Sequence, residues 1–135
     1  MKRLLPVVAL LVACATPAQP QALATDVART FAGLYVLQQT GDGRADVSLT
    51  DVRASCSRTG THPDGPGEDW GCAILYNDSG TDLTETFELQ VKADGCWRAE
   101  APPNAQPAVR VDPVTGVART NPLAEFDGCL DTSWH

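Results

Sequence analysis

Leu83-Thr84-Glu85-Thr86-Phe87-Glu88-Leu89-Gln90-Val91-Lys92 is the stretch on which the fold turns. Leu83, Phe87, Leu89 and Val91 alternate with Thr84, Thr86, Glu88, Gln90 and Lys92, so an extended chain here is apolar on one side and polar on the other. That period of two marks a strand covered on one face. Glu85 interrupts the apolar row near one end, where solvent can still reach it. Upstream, Trp70, Cys72, Ile74 and Tyr76 alternate with Gly71, Ala73 and Leu75, a strand apolar on both faces that belongs inside a sheet. Val52, Ala54 and Cys56 alternate with Arg53, Ser55 and Ser57 as a third, half-buried strand. Asn77-Asp78-Ser79-Gly80 and Ala93-Asp94-Gly95 carry turn chemistry, so these strands pair as antiparallel hairpins. A fourth strand, Cys96 to Glu100, follows and is ended by Pro102, Pro103 and Pro107.

The apolar face of such a sheet needs a cover, and the residues before it supply one. Thr25 offers an N-cap and Asp26 an acid in the first turn; Val27, Phe31, Leu34, Tyr35 and Gln38 follow at spacings of three and four, and Gly41 stops the run. This predicts an amphipathic helix over about Asp26 to Thr40. In the last thirty or so residues, Val109 to Val111 suggests a short edge strand and Asp112-Pro113-Val114-Thr115-Gly116 a turn. Asn121-Pro122 has the chemistry that opens a short helix, closed by Gly128. The expected fold is α+β: an N-terminal helix packed on an antiparallel sheet of about four strands, two disulfides and an irregular C-terminal tail. A small split barrel or sandwich is the alternative.

The extreme N-terminus reads as an export signal, with basic Lys2 and Arg3 before an apolar run from Leu4 to Leu11. That run is far shorter than the roughly 20 residues that span a bilayer. Leu11-Val12-Ala13-Cys14 resembles the lipobox of bacterial lipoproteins. The resemblance implies a signal peptide over residues 1–13 and a diacylglyceryl group on Cys14, which becomes the first mature residue. Two acyl chains give the stable anchoring that one cannot. An ordinary secretory signal cut after a later alanine is the competing reading. Residues 14–24, uncharged and with two prolines, read as a flexible tether, and residues 25–135 as a single disulfide-stabilised domain.

The chain carries a formal charge of −7, and loss of Lys2 and Arg3 with the signal would leave 8 bases against 17 acids. Such a balance opposes nucleic acid as a partner, and equally adhesion to anionic lipid by charge alone. Beyond Cys14, the cysteines are Cys56, Cys72, Cys96 and Cys129, an even number that in an exported chain reads as two disulfides. Three connectivities are possible. Cys56 with Cys72 and Cys96 with Cys129 is the expected one, because the first pair lies on the apolar alternation of neighbouring strands and the second would tether the tail.

No cofactor or metal is expected. The intervals of 15, 23 and 32 residues between these cysteines contain no C-x-x-C pair, which argues against structural zinc. Thr40-Gly41-Asp42-Gly43-Arg44-Ala45-Asp46 is similar to part of an EF-hand calcium loop, yet in either register Arg44 and Arg53, or Gln38, Thr40 and Leu49, stand where charged oxygen ligands are required. His62, Asp64, Glu68 and Asp69 share one segment, but Pro63, Gly65, Pro66 and Gly67 break it, and a lone histidine among carboxylates makes a weak set. No serine has a nucleophile elbow around it, so no catalytic residue is assigned. Trp70, on an apolar strand face, belongs to the core rather than to a sugar platform. The segment from Arg58 to Asp69 is instead the candidate recognition loop, with Arg58, His62, Asp64, Glu68 and Asp69 as its contact groups.

Gly65-Pro66-Gly67-Glu68-Asp69-Trp70-Gly71-Cys72, with the strand ending Asp94-Gly95, resembles a set of small exported actinobacterial proteins sharing Gly-Pro-Gly-x-Asp-Trp-x-Cys. The resemblance covers about residues 50 to 100 and implies a disulfide-linked sheet, with no activity to carry over. The sequence thus points to a lipid-anchored, non-catalytic binding module on the outer face of a bacterial cell membrane, with an envelope protein or polymer as partner. A small cell-wall hydrolase and a carrier of an apolar ligand are the alternatives. A deep apolar pocket would favour the carrier, convergence of His62 with carboxylates the enzyme, and a flat, packed sheet the binding module.

Overall fold

The computed structural model describes residues 19–130, so the lipobox and Cys14 lie outside the described residues. One helix, α1 (Gln19–Gly41), is followed by seven strands: β1 (Leu49–Arg58), β2 (Gly67–Asp78), β3 (Thr81–Val91), β4 (Cys96–Glu100), β5 (Val109–Val111), β6 (Ala118–Thr120) and β7 (Glu125–Cys129). Five of them form one antiparallel sheet in the order β1-β2-β3-β4-β7, and β5 and β6 form a separate two-stranded ribbon. The fold is α+β, with a sheet of five strands where about four were expected.

The alternation read from the sequence is the alternation of burial. Trp70, Cys72, Ile74 and Tyr76 of β2, Phe87, Leu89 and Val91 of β3, and Trp97 and Ala99 of β4 point inward and are buried beneath α1. The helix closes the core with Leu23, Val27, Phe31 and Tyr35, one residue per turn along a single stripe. Phe31 meets Tyr76 at 5.0 Å and Phe87 at 5.9 Å between ring centroids, and Phe126 of β7 packs edge-on to Phe87 at 5.0 Å. Trp97 fits because its cross-strand partner is Gly128: a Cβ there would lie 2.6 Å from the indole ring.

β1 gains a residue between Thr50 and Arg53, where Asp51 takes a φ of 54°. A one-residue insertion exchanges the two faces of a strand, so Leu49 before the bulge and Val52, Ala54 and Cys56 after it all turn toward the helix. Both disulfides follow from register. Cys56 stands directly opposite Cys72 and is bonded to it; Cys96 stands opposite Cys129 and is bonded to it. The first pair is buried on the inner face, whereas Cys96 alternates with inward Trp97 and therefore lies on the outer face, with Cys129 exposed.

Three expectations are corrected. The helix begins at Gln19, inside the stretch read as tether: Pro20 occupies its first turn, where a missing N–H leaves no bond unmade, and Leu23 and Ala24 are buried. Thr25 does not cap it, since its hydroxyl donates to the Gln21 carbonyl one turn back at 3.0 Å. The tail is not irregular, and Asn121-Pro122 opens no helix: Leu123 N–H donates to Asn121 Oδ1 at 3.0 Å for one turn, after which β7 becomes the sheet's fifth strand.

The molecule has two ends. Trp97 Nε1 donates to Asp26 at 2.8 Å in the N-terminal half of α1, and the row Gly67, Val91, Trp97 and Gly128 crosses the sheet at that level. Near the other end of the helix, Tyr35 donates to Asp78 at 2.5 Å, beside the β2–β3 turn. The connection from β1 to β2 therefore lies at the start of α1, and the β5–β6 ribbon at its finish, where Arg110 and Arg119 both pair with Asp42.

Candidate functional site

The predicted recognition residues divide into two kinds. Arg58 closes β1, and Glu68 and Asp69 belong to β2, at a bulge between Gly67 and Trp70, so the free loop is shorter than expected and runs from Thr59 to Pro66. Arg58 and Asp69 pair with each other, through Nε at 2.8 Å and Nη2 at 2.8 Å. That guanidinium, with the Gly60 N–H at 2.9 Å, holds the Asp69 carboxyl below its usual range. Arg58 also donates to the Asp64 carbonyl at 2.7 Å, and Trp70 Nε1 to the Gly65 carbonyl at 3.0 Å. Two members of the predicted contact set thus serve as the loop's internal clamp. Gly67 leaves room for this clamp, since a Cβ there would collide with the Arg58 guanidinium and the Asp69 carboxylate.

The side chains of His62, Asp64 and Glu68 are exposed. They do not converge with other carboxylates: among the described residues no group of three or more His, Cys, Asp or Glu is arranged to hold a metal ion. The centre of the helix–sheet interface is filled by the aromatic cluster described above, an open cleft of about 380 Å³ remains at its edge between Ala24, Ala28 and Ala32 of α1 and Val52 and Ala54 of β1, and the outer face of the sheet is open. There, Glu88, Glu100 and Glu125 stand side by side across β3, β4 and β7, with Arg98 bridging Glu100 at 3.0 Å and Glu125 at 2.7 Å.

A polar network that no local pattern marks occupies the far end of α1. Asp78, buried at 5% exposure, accepts hydrogen bonds from Tyr35, Ser79 and both terminal nitrogens of Arg44. The Arg44 bonds, then that of Tyr35, hold its carboxyl well below the usual carboxylate range, while burial and the facing carboxylate push the Tyr35 phenol up to about 12. Buried Gln38 donates to Asn121 Oδ1 at 2.8 Å, and Asn121 donates to the Pro107 carbonyl at 2.8 Å. Gln106 reaches Glu85, whose carboxyl is raised above its usual range by burial. Asp42, read from sequence as part of a defective calcium loop, accepts from Arg110 and Arg119. These partners lie 34 to 83 residues apart in the chain for the Asp78–Arg44 and Gln38–Asn121 bonds, and no local pattern announces them.

No family model, no curated protein and no solved structure matches this chain. None of the described helices is long and apolar enough to cross a membrane. The two disulfides are those of a chain that matures in an oxidising, extracytoplasmic environment.

Proposed function

We propose that this chain is a lipoprotein held on the extracytoplasmic face of a bacterial cell membrane through diacylglycerol on Cys14, and that it acts there as a non-catalytic binding module for another envelope component. The observation that carries this reading is the clamped loop. Thr59–Pro66 is fixed from within by Arg58, Asp69 and Trp70 and stapled at its base by Cys56–Cys72, while the side chains of His62 and Asp64 make no bond among the described residues. A loop ordered before binding loses little entropy on contact, and rigid loops on a stable sheet are common recognition surfaces. The aromatic filling at the centre of the helix–sheet interface, which leaves only an open cleft at its edge, supports binding over carriage, and the separation of exposed His62 from the buried carboxylates supports it over hydrolysis.

Cys14 stands five positions before Gln19, so an anchored chain would hold the loop end of the molecule near the bilayer. Two measurements test the reading. Cys14→Ser should abolish incorporation of labelled fatty acid, and undiminished labelling removes the anchor. Replacing Thr59–Pro66 with a short Gly-Ser linker should lower the melting temperature only by what loss of the bonds to Arg58, Asp69 and Trp70 costs, leave the chain folded, and abolish crosslinking to a partner in intact cells. A crosslink that survives alongside aggregation makes the loop a guard of the sheet edge instead.

A further inference from the structure

The β5–β6 ribbon has two unlike faces. Arg110 and Arg119 stand opposite each other and turn toward Asp42, whereas Val109 and Val111, with Ala118 and Thr120, turn the other way. Val109 is 53% exposed, Val111 60%, Val117 61% and Val114, at the tip, 91%. These four are half of the large exposed apolar side chains among the described residues, gathered in nine positions of the chain.

The backbone of β5 is as open as its side chains. Asn121 N–H donates to the Ala108 carbonyl at 2.9 Å and Asp112 N–H to the Val117 carbonyl at 2.9 Å. In an antiparallel ladder the mutually bonded pairs recur at every second residue, so the intervening bonded pair is Arg110 with Arg119. The N–H and C=O groups of Val109 and Val111 therefore point away from β6, and they have no partner among the described residues. Beside this edge runs an open groove of about 390 Å³, lined by Asp42, Pro107, Val109, Arg110, Val111 and Pro113.

We propose that β5 is a docking edge for an extended, valine-type apolar segment bearing basic residues, supplied by another protein and added as a third strand to the ribbon. Main-chain bonds to Val109 and Val111 hold the guest, and its alternate side chains lie on the valine face. Charge selects it: the three segments at this end, residues 42–51, 77–85 and 107–121, carry seven acids against three arginines. The chain segments before Gln19 and after Leu130 both join the described residues at the opposite end of α1, a helix about 35 Å long, so the edge is assigned to a segment of another protein. A second copy brings its own charge of −7, and a three-residue strand framed by Pro107 and Pro113 falls well short of the roughly 800 Å² per partner of a stable dimer.

This inference goes beyond the loop-based reading and uses a different surface. The probe is a fluorescent peptide, Lys-Val-Thr-Val-Lys-Val-Lys, titrated with the intact chain in detergent and followed by anisotropy, alongside a version with glutamate for each lysine. Val111→Pro supplies the discriminating variant: it deletes the outward N–H, leaves every β5–β6 bond in place and suits an edge strand. Expected are saturable binding of the lysine peptide that weakens with salt, none of the glutamate peptide, an unchanged melting temperature for Val111→Pro and binding at least about tenfold weaker. Equal binding by Val111→Pro, equal binding of both peptides, absence of saturation, or self-association of the chain through this edge overturns the proposal. Because the Gly-Ser loop replacement leaves β5 intact, peptide binding that persists in it, or a partner crosslink that persists in Val111→Pro, separates failure of one surface from failure of the other.

Discussion

Asp78 and Glu85 are carboxylates on neighbouring strands whose surroundings push them in opposite directions. Asp78 is encircled by donors and its carboxyl is held low, so its contribution is complete above the unfolded value near 3.8 and is lost as pH falls through the lower folded one. Asp78→Asn should cost about 3 kcal/mol near neutral pH, since it leaves Arg44 with only the more distant, exposed Asp46 as anion and the Tyr35 hydroxyl with a poorer acceptor. In urea titrations from pH 7 downward, the gap between variant and parent should narrow only below about pH 4. A gap that does not change with pH would remove the charge from the account. Glu85 has the opposite sign. Burial raises its carboxyl, so the neutral form suits the fold: the favourable contribution is present below the unfolded value and is lost as pH rises through the higher folded one. Glu85→Gln keeps a group able to meet Gln106 and removes the buried charge, and should stabilise by up to about 1 kcal/mol at pH 7 with no gain at pH 4. Thermal melts at the two pH values decide it, and a gain of equal size at both would point to packing instead.

At the scale of elements, Leu23 tests where α1 begins. It is fully buried, one turn before Val27, in residues whose composition alone looks like linker. Leu23→Ala should cost about 3 kcal/mol, the loss typical of a filled core site, whereas a residue in a tether would cost nothing measurable. Denaturant midpoints distinguish these outcomes. The case shows what is legible in sequence and what is not. β2, β3 and β4 were readable because each presents alternate residues to one core, so a local pattern records a global fact. The first turns of α1 are masked in the sequence because Pro17 and Pro20 weigh heavily in a short window, although Pro20 stands where a helix tolerates it. β7 is masked because Asn121-Pro122 does make a turn, and only pairing with β4, a partner some thirty residues away, selects strand over helix after it. For the candidate site, Arg58 and Asp69 were legible as loop residues but not as each other's partner. Asp42 was legible as an acid in a turn, while the arginines that claim it come 68 and 77 residues later.

For the whole molecule, the disulfides divide the labour of holding sheet and tail together. Cys56–Cys72 joins consecutive strands on the inner face, under the helix, at a sequence separation of 16; Cys96–Cys129 spans 33 residues on the outer face and ties in β7 after the excursion through the ribbon. The chain-entropy model assigns about 3 kcal/mol to the first and about 4 to the second. Access separates them further, because exchange requires a thiolate to reach a sulfur, and Cys129 is exposed whereas Cys56 and Cys72 are buried. Mild reductant on the native chain should therefore open Cys96–Cys129 first and leave Cys56–Cys72 intact until the core unfolds. Alkylation at intervals, followed by peptide mass mapping, reads the order directly. The half-reduced species should lose about 4 kcal/mol of stability and show faster amide exchange in β7 and in the Leu130 N–H bonded to the Gly95 carbonyl, while β2 and β3 stay protected. Simultaneous reduction of both pairs, or earlier labelling of Cys56, would show that the sheet opens as one unit and that its outer face gives no preferential entry.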